Sequence, residues 1–147
     1  MVKYSLEEMK ENMAKAYGQS LGISTKKSVE ICRTIRNMNV SKAKSFLERV
    51  MKKEEAVPFK RYMHDTPHRT GMAAGKYPIT AASGILKIIK SAESNAQSKG
   101  LGTSDLYIVH ISAHLAARPY HYGRKKKSKM KRTNLQVVLE ERRIKND

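Results

Sequence analysis

Apolar residues recur along this chain with two different periods. Between 25 and 37, Ser28, Ile31, Cys32 and Ile35 fall at i, i+3, i+4 and i+7, the inward face of a helix that Ser24 or Thr25 can cap. Between 41 and 53, Ala43, Phe46, Leu47, Val50 and Met51 repeat at helical spacing behind Ser41 as the cap. The short turn over 37–40 makes these two helices neighbours. A third helix is expected over 78–99, with Pro78 in its first turn and Gly100 at its stop. Ala82, Ile85, Leu86, Ile89, Ala92 and Ala96 line one face of it, and the alanines permit close approach. The pattern becomes strand-like in LYIVHI (106–111) and LQVVL (135–139). A short helix can open the chain over 5–13, where Ser5 and Glu8 form a capping box and Leu6, Met9 and Met13 share a side. Gly18 and Gly22 argue against helix through 14–24; an extended segment is one reading there, and composition alone does not choose it.

The regular pattern stops over 54–76, a loop punctuated by Pro58, Pro67, Gly71 and Gly75. It interleaves Phe59 and Tyr62 with Lys60, Arg61, His64, His68 and Arg69. Aromatics stack on unpaired bases while cations meet phosphates, the mix that RNA recognition uses. A solvated surface insertion is the alternative reading of the same residues.

Charge changes the picture most. The chain has 147 residues, which suits one domain with a modest core, and carries 30 Lys+Arg against 13 Asp+Glu, a net charge of +17. Such an excess repels itself unless a polyanion relieves it. On the first helix Lys26, Arg33 and Arg36 lie off the apolar face and form a stripe that can meet phosphates; Lys27, Lys42 and Lys76 join them as candidate contacts. The densest run is 115–134, LAARPYHYGRKKKSKMKRTN, and no acid occurs anywhere over 106–139. Its cations are Arg118, Arg124, Lys125, Lys126, Lys127, Lys129, Lys131 and Arg132. The flanking strands make this run the connection of a hairpin that protrudes over 113–133. Two arms of about ten residues reach roughly 30 Å at about 3.3 Å per residue. Such a ribbon is marginal alone in water, so its tip is expected to order only in a polyanionic groove. Eight phosphate contacts give log affinity a slope of about −6 to −7 against log salt.

Other chemistry finds little support. Cys32 is the single cysteine, which excludes an internal disulfide and a cysteine-rich zinc site. His64 and His68 straddle Pro67, and His110 and His114 share one strand face, but no further ligand accompanies either pair, and no metal or cofactor is expected. Glu54 with Glu55, and Glu140 with Glu141, are adjacent acids at element ends rather than an acid/base pair. No nucleophile elbow, P-loop or GxGxxG is present, so the chain reads as a binder and not an enzyme. The N-terminus, with Glu7, Glu8 and Glu11, is unlike a signal peptide, and no apolar run spans a membrane. A basic membrane helix is disfavoured because 118–132 offers only Tyr120, Tyr122 and Met130 as an apolar face, broken by Pro119 and Gly123.

The order of these parts resembles the universal large-subunit ribosomal protein family called L twenty-two in bacteria and L seventeen in eukaryotes. ISTKKSVEICRTIRNMNVSKAKSFL (23–47) resembles its first two helices. VPFKRYMHDTPHRTG with AAGKYPITAA (57–82) resembles the insertion of archaeal and eukaryotic members, and SAESNAQSKGL (91–101) and DLYIVHISAH (105–114) continue the match. The resemblance implies an α+β fold: three helices packed on a small three-stranded antiparallel sheet, 14–22 as its first strand, and a long basic β-hairpin extension. It implies one rRNA-binding domain over 1–147. It further implies 23S-type rRNA, neighbouring large-subunit proteins and the nascent polypeptide as partners, a cytoplasmic ribosomal location, no homo-oligomer, and a role in subunit assembly. The hairpin tip would line the exit tunnel through Pro119, Tyr120, His121, Tyr122, Gly123 and Arg124. Pro119, Gly123 and Arg124 match the family's tip motif. Tyr120 stands where arginine is usual, His121 where alanine is usual, and Lys125 where a small residue is usual.

The leading reading is therefore a structural rRNA-binding protein of the large subunit. A free-standing, DNA-compacting protein explains the charge but not the loop and hairpin. An RNA-modifying enzyme needs a cofactor or acid/base site that the residues do not supply.

Overall fold

A computed structural model describes Tyr4, Ser5 and residues 10–142. Its main sheet has three antiparallel strands in the order β1 (Met13–Leu21), β6 (Thr133–Glu141), β5 (Leu106–Leu115). Three helices cover one face: α1 (Thr25–Ile35), α2 (Val40–Lys52) and α3 (Ile79–Ser98). α3 lies against β1 and β6, α1 lies against β5, and α2 packs on α3. The α+β class and the three-stranded sheet expected from the sequence are present, and 14–22 belongs largely to β1. The helix expected over 5–13 falls mostly outside the described residues. The tail over 141–147 is described only as far as Arg142.

The core forms where the predicted helix faces meet the sheet. Ile31, Ile35, Leu47, Ile85 and Ile89 are fully buried against Ile108, Ile111, Leu135 and Leu139. β1 contributes only small inward residues, Ala14, Ala16 and Gly18, so α3 approaches it closely. A Cβ added at Gly18 would lie 2.9 Å from Ile88 Cδ1. In β5 the alternation slips once. Ile108 pairs with Leu139 and His110 with Val138, so Val109 is an extra residue in a bulge. That slip lets Ile108 and Ile111, three apart, both point inward. The turn between α1 and α2 covers the free edge of β5, through Asn37 N–H to Ile108 O at 2.8 Å and Ile108 N–H to Met38 O at 2.9 Å.

Several expectations need correction. Asn39, not Ser41, caps α2: its side chain accepts the Ser41 N–H at 2.8 Å. Ser24 takes the cap position of α1 but makes no side-chain cap bond. The 54–76 loop is not irregular throughout. It contains a second sheet, β2 (Val57–Pro58), β4 (Met72–Lys76) and β3 (His68–Arg69), in the order β2-β4-β3. A two-residue turn joins β3 to β4, with Gly71 at φ +75° where side chains are disfavoured. Val57 and Phe59 anchor this sheet in the core. Phe59, only 4% exposed, is therefore a core residue and not a base-stacking one.

The hairpin expected over 113–133 is not a continuous ladder. The β5–β6 ladder ends at Leu115 and Thr133. Beyond it the two arms stay close through Ala116 N–H to Arg132 O, Met130 N–H to Pro119 O and His121 N–H to Ser128 O, at 3.1, 2.8 and 2.9 Å. From the first of these bonds to the second, the outgoing arm advances three residues while the returning arm advances two. Pro119 has no N–H to give, so the ladder cannot resume there in full. A single 3₁₀ turn, Gly123–Lys125, closes the tip.

Candidate nucleic-acid interface

The cationic residues fall into three groups. On α1, Lys26, Lys27 and Arg33 are exposed. Arg36 is exposed too, but its Nη2 donates to Ile111 O of β5 at 3.1 Å, which ties part of it to the sheet. On α2, exposed Lys42 lines a separate cavity of about 720 Å³ with Asn37, Arg49 and Tyr107.

The second group sits on the small sheet. Lys60 and Arg61 are exposed, while Tyr62 is half-buried between cations: Lys26 Nζ lies 5.7 Å and the Arg61 guanidinium 5.5 Å from its ring. His64 is almost fully exposed, with Asp65 at 3.6 Å. His68 and Arg69 are exposed on β3, and Arg69 covers the Tyr77 ring at 5.1 Å. Lys76 is half-buried with its Nζ 6.0 Å from the Phe59 ring.

One residue that sequence reasoning missed holds this group in place. Glu30, 1% exposed, accepts the backbone N–H groups of Lys60, Arg61 and Tyr62 at 3.2, 2.7 and 2.7 Å. A buried carboxylate is tolerated when donors saturate it, and here three backbone donors do so. The signal was in the sequence: Glu30 stands four residues after Lys26 and three before Arg33, an acid within the basic stripe.

The third group is the protrusion. Arg118, Arg124, Lys125, Lys126, Lys127, Lys129 and Lys131 are exposed, and Arg132 is half-buried. Lys129 Nζ lies 5.1 Å from the Tyr120 ring, and the two residues pair across the arms, so a cation sits over an aromatic face there. Tyr122 is 87% exposed and Tyr120 60% exposed, and His121 is half-buried between them. Pro119 and Gly123 shape the backbone; Gly123 has φ +63°. At the root, Arg132 Nη1 donates to Ser20 O at 3.2 Å and Arg118 Nε to Met130 O at 3.4 Å. Backbone carbonyls orient these guanidinium groups without neutralising them. The described acids that form ion pairs are occupied elsewhere, as in Lys44–Glu93 and Arg49–Glu55, both at 2.7 Å.

The remaining titratable groups serve structure. Burial pushes the Cys32 thiol up to about 12, so it stays protonated and inert at neutral pH. His110 and His114 both approach Ser112 Oγ, at 3.2 and 3.0 Å, on the sheet face away from the helices. Burial, then the charge of Arg36, then His114 lower the pKa of His110. Glu55 pairs with Arg49, Glu140 with Arg142 at 3.2 Å, and Glu141 accepts Gly102 N–H at 3.1 Å. Among the described residues, no cluster of three or more His, Cys, Asp or Glu could hold a metal, and no helix is long and apolar enough to cross a membrane.

The sequence profile of the family described as ribosomal protein L22p/L17e matches residues 16–140. The large ribosomal subunit protein uL22 of Methanosphaera stadtmanae is 45% identical over 139 residues, which cover 89% of this chain and 90% of that protein. The protein of the same name from Methanopyrus kandleri is 45% identical over 141 residues, 90% of this chain and 89% of its own. That of Methanococcoides burtonii is 40% identical over 146 residues, 95% of this chain and 97% of its own. The matched span begins in β1 and ends in β6, so it includes most of the sheet, the three helices and the basic protrusion: the chain belongs to the ribosomal protein L22p/L17e family.

Proposed function

We propose that this protein is a structural, non-catalytic constituent of the large ribosomal subunit that binds 23S-type rRNA. Residues 1–147 act as one rRNA-binding unit in the cytoplasmic ribosome, support subunit assembly and touch neighbouring ribosomal proteins as a single copy. The protrusion over 116–132 runs among rRNA segments and presents 119–124 to the nascent polypeptide at the tunnel wall. The observation that carries this reading is the acid-free protrusion: its cations have no carboxylate partner over 106–139, and backbone carbonyls hold its root in place. The family and the names of the relatives support the same assignment. Arg61 and Tyr62, held through their backbone by Glu30, supply a second contact area on the body together with Lys26 beside the Tyr62 ring.

Co-sedimentation tests this. A tagged chain expressed in a related archaeon is expected to run with large subunits and to remain after a high-salt wash. A DNA-compacting protein would wash off and appear with the nucleoid, and that result would overturn the reading.

A further inference from the structure

Three cavities run together at the root of the protrusion. One, of about 430 Å³, is lined by Ser24, Lys26, Arg118, Lys131 and Arg132 among others. A second, of about 420 Å³, continues past Gly22, His121 and Lys129, and shares Lys131 and Arg132 with the first. A third, of about 390 Å³, passes Lys27, Tyr77 and Thr80; it shares Ser24 and Lys131 with the first and Gly22 and Lys131 with the second. Lys131 lines all three. No carboxylate lines any of them.

The groove is held open by fixed groups. Thr133 Oγ1 donates to Ile23 O at 2.9 Å, so at 2.7 Å it must accept from Thr25 Oγ1, which locks the entry of α1 to the start of β6. The carbonyl bonds of Arg118 and Arg132 orient their guanidinium groups at the same root. The starts of α1 and α3 both border the groove and carry no acid in the first turn, so their partial positive charge adds to that of the cations.

We propose that this groove receives a single extended run of RNA sugar-phosphate backbone, with Lys131 between successive phosphates. The inference rests on the rRNA-binding reading and names the feature that reading would use on the body side of the protrusion. Adjoining cavities lined by cations, with no acid among them, fit a chain of closely spaced anions. Three cavities sharing one lysine fit successive phosphates better than an isolated anion.

The test uses the full chain in two arms. In the first, amide NMR spectra are followed as octauridylate is added. The amides of Thr25, Lys26, Lys27 and Thr80 are expected to shift, and polyglutamate of equal charge is expected to leave them in place. In the second, binding to large-subunit rRNA is measured against salt for the wild type, Lys131→Gln and the tip variant Lys127→Gln. Lys131→Gln is expected to lower the salt slope by about 1 and to abolish the groove shifts. Lys127→Gln is expected to leave the groove shifts intact. Wild-type binding to rRNA with unmoved groove amides, equal shifts with polyglutamate, or groove shifts that survive Lys131→Gln would overturn the groove alone. A wild type that binds no rRNA would overturn the ribosomal reading with it.

Discussion

The carboxylate of Glu30 on α1 accepts the backbone N–H of Tyr62 at 2.7 Å, across 32 residues of sequence. With the N–H groups of Lys60 and Arg61 on the same side chain, one acid fixes where the small sheet joins the body. It thereby sets the position of Tyr62 beside Lys26. Glu30→Ala removes the acceptor for three donors at once. It is expected to destabilise the free chain by about 2 kcal/mol or more, read as a lower urea midpoint. Glu30→Gln keeps an amide oxygen and is expected to lose less.

Gly18 and Ile88 give a second prediction. Gly18→Ala places a methyl 2.9 Å from Ile88 Cδ1 and 3.0 Å from Cγ1. It is expected to cost about 1–2 kcal/mol through overpacking. Ile88→Val, which removes Cδ1, is expected to recover part of that loss in the double variant. Additive losses would contradict the steric account.

The lowered pKa of His110 makes a prediction about pH. The unfolded chain holds the ordinary value near 6.5, so between the two values it binds more protons than the folded protein. Stability from this group is full above about pH 6.5 and falls as pH drops toward the lower folded value. His110→Asn is expected to flatten the stability profile in that window relative to the wild type. Unchanged slopes would show that burial, Arg36 and His114 do not disfavour the imidazolium.

The protrusion is expected to exchange its amide hydrogens unevenly. The N–H groups of β6, and those of β5 up to Leu115 that face β6, are tied into the ladder and should be protected. Those of Tyr122, Arg124 and Lys127 should exchange quickly in the free chain. Strong protection throughout 117–127 would mean that a regular ribbon forms without RNA.

These cases show where sequence patterns carry structure and where they fail. The helices were legible because bulky residues such as Ile31, Leu47 and Ile85 repeat at helical spacing and bury one face. β1 was hard to see because its inward positions are Ala14, Ala16 and Gly18, small for the sake of α3 and nearly silent as hydrophobic signal. β2 and β3 are two residues each, too short for any period; only Thr70-Gly71 marked the turn from β3 to β4. The bulge at Val109 broke the alternation of β5. The basic groups were visible one by one, but their gathering was not. Nothing in local sequence says that Lys26 meets both Tyr62 and the cavity of Arg118 and Arg132.

The most direct measurement is a density map of large subunits assembled with this chain. The expected result is the body seated on rRNA, with 116–132 enclosed by RNA and 119–124 at the tunnel wall. A map in which the chain is absent from washed subunits, or in which 116–132 projects into solvent, would contradict the assignment.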